Sequence, residues 1–97
     1  KVPGSFELIY ASKRIAKNKE INAIITIGCI IKGDTPHFEY ICESVTNGIK
    51  DLNILLDIPV IFGVLTTQNF EQAKKRSKGD NNKGREFAIS ALQMTKI

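Results

Sequence analysis

The sequence is short of the residues and runs on which several functions depend. No apolar stretch approaches the ~20 residues a bilayer-spanning helix needs, and no basic segment followed by an apolar one opens the chain. Neither a membrane-spanning protein nor a secreted precursor is expected. Cysteine occurs only at Cys29 and Cys42, too little for a disulfide framework or an all-thiolate zinc site, so a reduced, cytoplasmic setting is expected. The single histidine, His37, has Cys29, Asp34 and Glu39 near it in sequence, but at spacings that match no standard zinc pattern. The hydrolase elbow G-x-S-x-G, the phosphate loop G-x-x-x-x-G-K-[ST] and the dinucleotide fingerprint G-x-G-x-x-G are all missing. The only methionine is Met94 and the chain opens at Lys1, so a chain processed, truncated or only partly determined at its N-terminus is expected.

What is present fits one folded domain. The chain has 97 residues, 42% hydrophobic and 25% charged, which argues against disorder. Its net charge is +4, from 14 basic and 10 acidic residues. Such a balance suits a nucleic acid or a phosphorylated small molecule equally. Most of the excess lies at Lys74, Lys75, Arg76, Lys78, Lys83 and Arg85, where the simplest reading is a solvated helix face. No helix-turn-helix, aromatic RNA-binding pair or zinc finger accompanies it.

Along the chain, residues 1–4 read as a loop, and Ser5 is placed to N-cap a helix reaching about Asn18, with Glu7 in its first turn. The run INAIITIG at 21–28 is β-branched without alternation, which predicts a strand buried on both faces. Residues 29–36 then read as a strand end passing into a loop, with Gly33, Asp34 and Pro36 as turn formers. Tyr40, Ile41, Val45, Ile49, Leu52 and Leu56 recur at helical spacing over 37–56. A second strand is predicted at 60–66, a short helix at 70–76 capped by Asn69, a loop at 78–84 and a last helix at 86–95. A crossover this long makes the two strands parallel. Two strands are too few for a sheet covered on both sides, so further strands or a neighbouring subunit are required.

In such sheets ligands bind beyond the carboxyl ends of the strands. The loop after the first strand holds Lys32, Gly33, Asp34 and Thr35, then His37 at a helix start. Free amides, a small residue, a hydroxyl and a positive helix end can together hold an anion; the same residue types also serve plain turns. By spacing alone, His37 is equally a surface residue or a proton carrier. Cys29 reads as a small pocket wall, Cys42 and Phe62 as core, and Tyr40 as helix packing.

Taken together, VPGSFE (2–7), GCIIKGDTPHFEYIC (28–42), IFGVLTTQNFEQAKKR (61–76) and NKGREFA (82–88) resemble the 6,7-dimethyl-8-ribityllumazine synthase family, in the same order and nearly end to end. The resemblance implies a three-layer α/β/α fold with a parallel sheet, its N-terminal strand or strands missing here, and a single domain over 1–97. It implies a condensation of 5-amino-6-(D-ribitylamino)uracil with 3,4-dihydroxy-2-butanone 4-phosphate, releasing phosphate and water. No metal or organic cofactor is implied. By position, His37 matches the proton-transfer residue. Ser5, Phe6, Glu7, Cys29, Ile30, Ile31 and Phe62 match contacts to the ribitylaminouracil. Asp34, Thr35 and Arg76 match the phosphate site, and Lys83 falls near a lysine that approaches it. The resemblance further implies a homo-oligomer, a pentamer that in some relatives extends to a sixty-subunit shell. Active sites lie between subunits, with Phe62 and Arg76 reaching in from the partner, and riboflavin synthase is a further partner. Alternatives are a same-fold riboflavin synthase, a non-catalytic shell protein and a nucleic-acid module using the basic stretch.

Overall fold

Strand β1, Ile24–Ile31, and strand β2, Val60–Thr67, pair in parallel and in unbroken register, from Ile24 opposite Val60 to Ile31 opposite Thr67. Their β-branched and aromatic residues suit a pleated surface. The connection between them contains the longest helix, α2, His37–Leu55. The computed structural model describes residues 1–97. Ahead of β1 lies α1, Leu8–Ile15, entered through a 3-10 turn at Ser5–Glu7. After β2 come α3, Phe70–Arg76, a second 3-10 turn at Gly79–Asn81, and α4, Lys83–Met94.

Successive strand residues face opposite ways, and this assigns the layers. Val60 and Val64 of β2 join Val45, Ile49 and Leu52 of α2 in the core, with Leu8 and Ile9 of α1 packed against it. On the opposite face, a Cβ added to Gly63 would lie 3.1 Å from the ring of Phe87, so α4 sits close against the sheet there. Helices therefore cover both faces, which is the three-layer α/β/α arrangement read from the sequence.

Local signals set several boundaries. At the start of α3, the N-cap Asn69 Oδ1 accepts from the Gln72 N–H at 2.9 Å, while Gln72 Oε1 accepts from the N–H of Gln68, the residue before the cap, at 2.8 Å. The helix starts where Asn69 predicts it. Pro36 precedes α2, and Thr35 Oγ1 accepts from the His37 N–H at 3.4 Å. Asn82 Oδ1 accepts from the Gly84 N–H at 2.8 Å, and α4 consequently begins at Lys83 rather than at residue 86.

Four expectations need correction. Ser5 makes no side-chain cap; it opens the 3-10 turn, after an extended Gly4. Helix α1 also stops at Ile15, short of Asn18. Strand β1 is displaced from 21–28 to Ile24–Ile31, because pairing with β2 fixes its ends: the Ile24 N–H donates to the Pro59 carbonyl and the Lys32 N–H to the Thr67 carbonyl, both at 2.9 Å. Nor is β1 buried on both faces. Ile25, Ile27 and Ile31 are 37%, 76% and 40% exposed, since β1 is an edge strand in this chain and the second helix layer is centred on β2.

Candidate active site

Three stretches of sequence meet at the carboxyl end of β1. The 3-10 turn contributes Ser5, the strand end contributes Cys29, Ile30 and Ile31, and the loop and helix start contribute Thr35 and His37. They line a cavity of about 320 Å³. Three consecutive strand residues cannot all point into one space by their side chains. They share it because the cavity runs along the unpaired outer edge of β1, where backbone N–H and C=O groups are open to a ligand. A second cavity of about 320 Å³ continues along that edge past Gly28 and Ile27, sharing Ser5 and Cys29 with the first.

Phe38, Ile41 and Gly33 complete the lining; Gly33 is the small residue of the loop read as an anion site, whereas Phe38 and Ile41 were given no site role from the sequence. The signal for Ile41 was available: it lies one helical turn after His37, on the same face of α2. His37 itself is exposed, with the ring free to meet a ligand at the cavity mouth.

The other expected residues lie elsewhere in the chain. Phe6 and Glu7 face a separate apolar recess shared with Ile9, Tyr10 and Lys13, so only their backbone adjoins Ser5. Asp34 is exposed in the loop and does not line the cavity. Phe62 is 37% exposed, not core, and opens into a groove of about 490 Å³ between α2 and β2. Cys42 is half-buried on the same groove, and Tyr40 projects outward with 68% of its surface free. Both depart from the core and packing roles read from spacing.

Arg76 and Lys83 share another cavity, of about 370 Å³ and lined by no hydrophobic residue, between α3 and α4, with Gln72, Asp80 and Glu86. The Arg76 Nη1 donates to the Thr66 carbonyl at 3.2 Å, fixing the guanidinium beside the end of β2. Lys83 Nζ lies 3.1 Å from a Glu86 carboxylate oxygen. No cluster of three or more His, Cys, Asp or Glu side chains is assembled to hold a metal ion. Helices in the chain are also too short or too polar to cross a membrane.

The family model described as 6,7-dimethyl-8-ribityllumazine synthase matches residues 1–97. The chain belongs to the lumazine synthase family. Among curated lumazine synthases, that of Parabacteroides distasonis is 52% identical over 95 residues, 97% of this chain. That of Flavobacterium johnsoniae is 55% identical over 97 residues, 99% of this chain, and that of Bacteroides fragilis 54% over 94 residues, 96% of this chain. The matched regions make up 59%, 51% and 66% of those three proteins, so this lumazine synthase family chain spans only part of their length.

Proposed function

We propose that the protein carrying this chain is a 6,7-dimethyl-8-ribityllumazine synthase, a transferase of riboflavin biosynthesis. It condenses 5-amino-6-(D-ribitylamino)uracil with 3,4-dihydroxy-2-butanone 4-phosphate, and phosphate and water leave. The observation that carries the reading is the gathering of Ser5, Cys29, Ile30, Ile31, Thr35 and His37, from three separate stretches, around one edge cavity. The curated relatives, 52% to 55% identical, carry that enzyme name.

The chemistry follows from the groups on hand. The pyrimidine amine attacks the butanone ketone, phosphate departs, and a second carbonyl closes the ring. Holding both reactants in one cavity converts encounter into an intramolecular event. Each step moves a proton, and His37 at the cavity mouth is the side chain suited to carry it near neutral pH. The open backbone edge of β1 offers paired donors and acceptors to the pyrimidine, while Ser5 and the adjoining backbone of Phe6 and Glu7 meet its ribityl chain.

Phosphate recognition is assigned to the Asp34 and Thr35 amides, the Thr35 hydroxyl and the Arg76 guanidinium, whose planar fork matches a dianion. Asp34 serves by its backbone, its carboxylate directed outward. Lys83 is a subsidiary cation beside Arg76. Within one chain, Phe62 and Arg76 open into spaces other than the His37 cavity. A neighbouring copy supplies them in this reading, so the working unit is a homo-oligomer, a pentamer with sites between subunits. The broad apolar exposure at Ile27, Tyr40, Ile54 and Leu55 agrees with further contacts. A cytoplasmic setting and riboflavin synthase as the consumer of the product complete the reading.

Mixing the intact protein with both substrates tests this. Lumazine fluorescence rising together with released phosphate is the expected result; neither signal appearing rejects the activity.

A further inference from the structure

Gly28 stands on the face of β1 that the 3-10 turn covers, and the space above its Cα is occupied. A Cβ built there would lie 2.8 Å from Ser5 Oγ, 3.4 Å from Leu8 Cδ1 and 3.6 Å from Val64 Cγ2. The last two are ordinary packing distances. The first is not, so the serine hydroxyl rests in room that any other residue at position 28 would fill. Ser5 is half-buried, and its hydroxyl makes no capping bond with the helix it precedes. It also lines both cavities along the β1 edge, at their junction. Leu8, one turn later, packs over the same glycine and keeps the turn seated on the strand.

We propose that Gly28 is a positioning residue for ligand recognition: its missing side chain holds the Ser5 hydroxyl at the junction of the two edge cavities, where it meets a polar group of the pyrimidine substrate. This rests on the lumazine synthase reading. A methyl group at position 28 would rotate the short serine side chain away and leave the backbone in place, because the crowded atom ends a single rotatable bond. The consequence is a displaced hydroxyl in a folded protein. The pyrimidine then loses one hydrogen bond, and the phosphate substrate, bound at the other end of the loop, loses none.

The test compares Gly28→Ala, Ser5→Ala and the double variant in the intact protein. Three readouts are taken: the KM for each substrate, the thermal midpoint, and calorimetric binding of a ribitylated purine analogue. Gly28→Ala should raise the pyrimidine KM about fivefold to tenfold, leave the butanone phosphate KM and kcat near the parent values, and weaken the analogue to match. The double variant should be no worse than Ser5→Ala, because the hydroxyl to be displaced is already gone. An equal rise in both KM values, or losses that add in the double variant, overturns the positioning role. Should Gly28→Ala fail to fold, recovery of folding on adding Ser5→Ala upholds the contact, and continued misfolding overturns it. A parent protein that neither forms lumazine nor binds the analogue overturns the proposed function itself, whereas an active parent with additive variants overturns only the role of Gly28.

Discussion

Asn53 and Val60 exchange two hydrogen bonds: Asn53 Nδ2 donates to the Val60 carbonyl at 2.9 Å, and the Val60 N–H donates to Asn53 Oδ1 at 2.8 Å. The same Nδ2 donates to the Ile49 carbonyl at 3.0 Å, one turn back in α2. A side-chain amide thus pairs with the first residue of β2 as a neighbouring strand would. It clamps the last turn of α2 to the start of the strand that fixes the register of β1. The cavity at the far end of β1 depends on that register.

Replacing Asn53 by Ala removes all three bonds from a partly exposed site, so a loss of roughly 1–2 kcal/mol is expected. Asn53→Asp keeps the acceptor for the Val60 N–H but sets a carboxylate oxygen against the Val60 and Ile49 carbonyls near the C-terminus of α2, and should be no more stable than Ala. Urea denaturation of the three proteins checks the order.

Gly48 of α2 faces Ile9 of α1. A Cβ at this position would overlap the terminal methyl of Ile9 and crowd the rest of its side chain. Gly48→Ala is therefore expected to cost about 1–3 kcal/mol by overpacking. Adding Ile9→Val, which removes that methyl, should restore part of it. A Gly48→Ala protein as stable as the parent would contradict the helix contact.

His37→Ala should lower turnover about a hundredfold or more while leaving circular dichroism and assembly unchanged. Its backbone N–H, which Thr35 receives, is kept in the variant. Equal lumazine production by the two proteins would remove the imidazole from the proton path.

For Arg76→Ala the apparent KM should rise for the butanone phosphate at least tenfold and barely move for the pyrimidine. Arg76→Lys, a point charge without the fork, should recover little of this. Comparable rises for both substrates would argue against a phosphate role.

Burial first, and the Glu39 carboxylate one turn away second, push the Cys42 thiol up from its ordinary value of 9.0. The folded chain holds this proton more tightly than the unfolded one, so the contribution to stability is present below the unfolded value. It is lost as pH rises from there through the folded value. Iodoacetamide near pH 8 should therefore label the exposed Cys29 well before Cys42, and mass spectrometry of timed samples reads the difference. Bound substrate should protect Cys29, since that residue lines the cavity. Simultaneous labelling of both thiols would contradict the assigned surroundings.

Much of the fold was legible along the chain. The β-branched run at 60–66 marks β2 to within one residue, and the apolar spacing of Ile41, Val45, Ile49 and Leu52 marks α2 almost end to end. Asn69 marks the start of α3 because its side chain bonds a backbone group three residues away, an event decided locally. Asn82 sends the same message for α4, but it stands in a stretch rich in Asn, Lys and Gly that reads equally well as loop. The loop holding Thr35 and His37 was found by its position after a strand.

By itself the sequence determined the order of helices and strands and their parallel pairing, because caps, periodicity and crossover length act over a few residues or a fixed connection. The residues expected around His37 came from the family resemblance instead. Tertiary structure alone decided where β1 begins and ends, that one of its edges lies open, and that Ser5 points over Gly28 while Phe6 and Glu7 turn away. Those outcomes hang on partners far along the chain: hydrogen bonds to β2 set the strand, and packing of Leu8 on the sheet sets the turn.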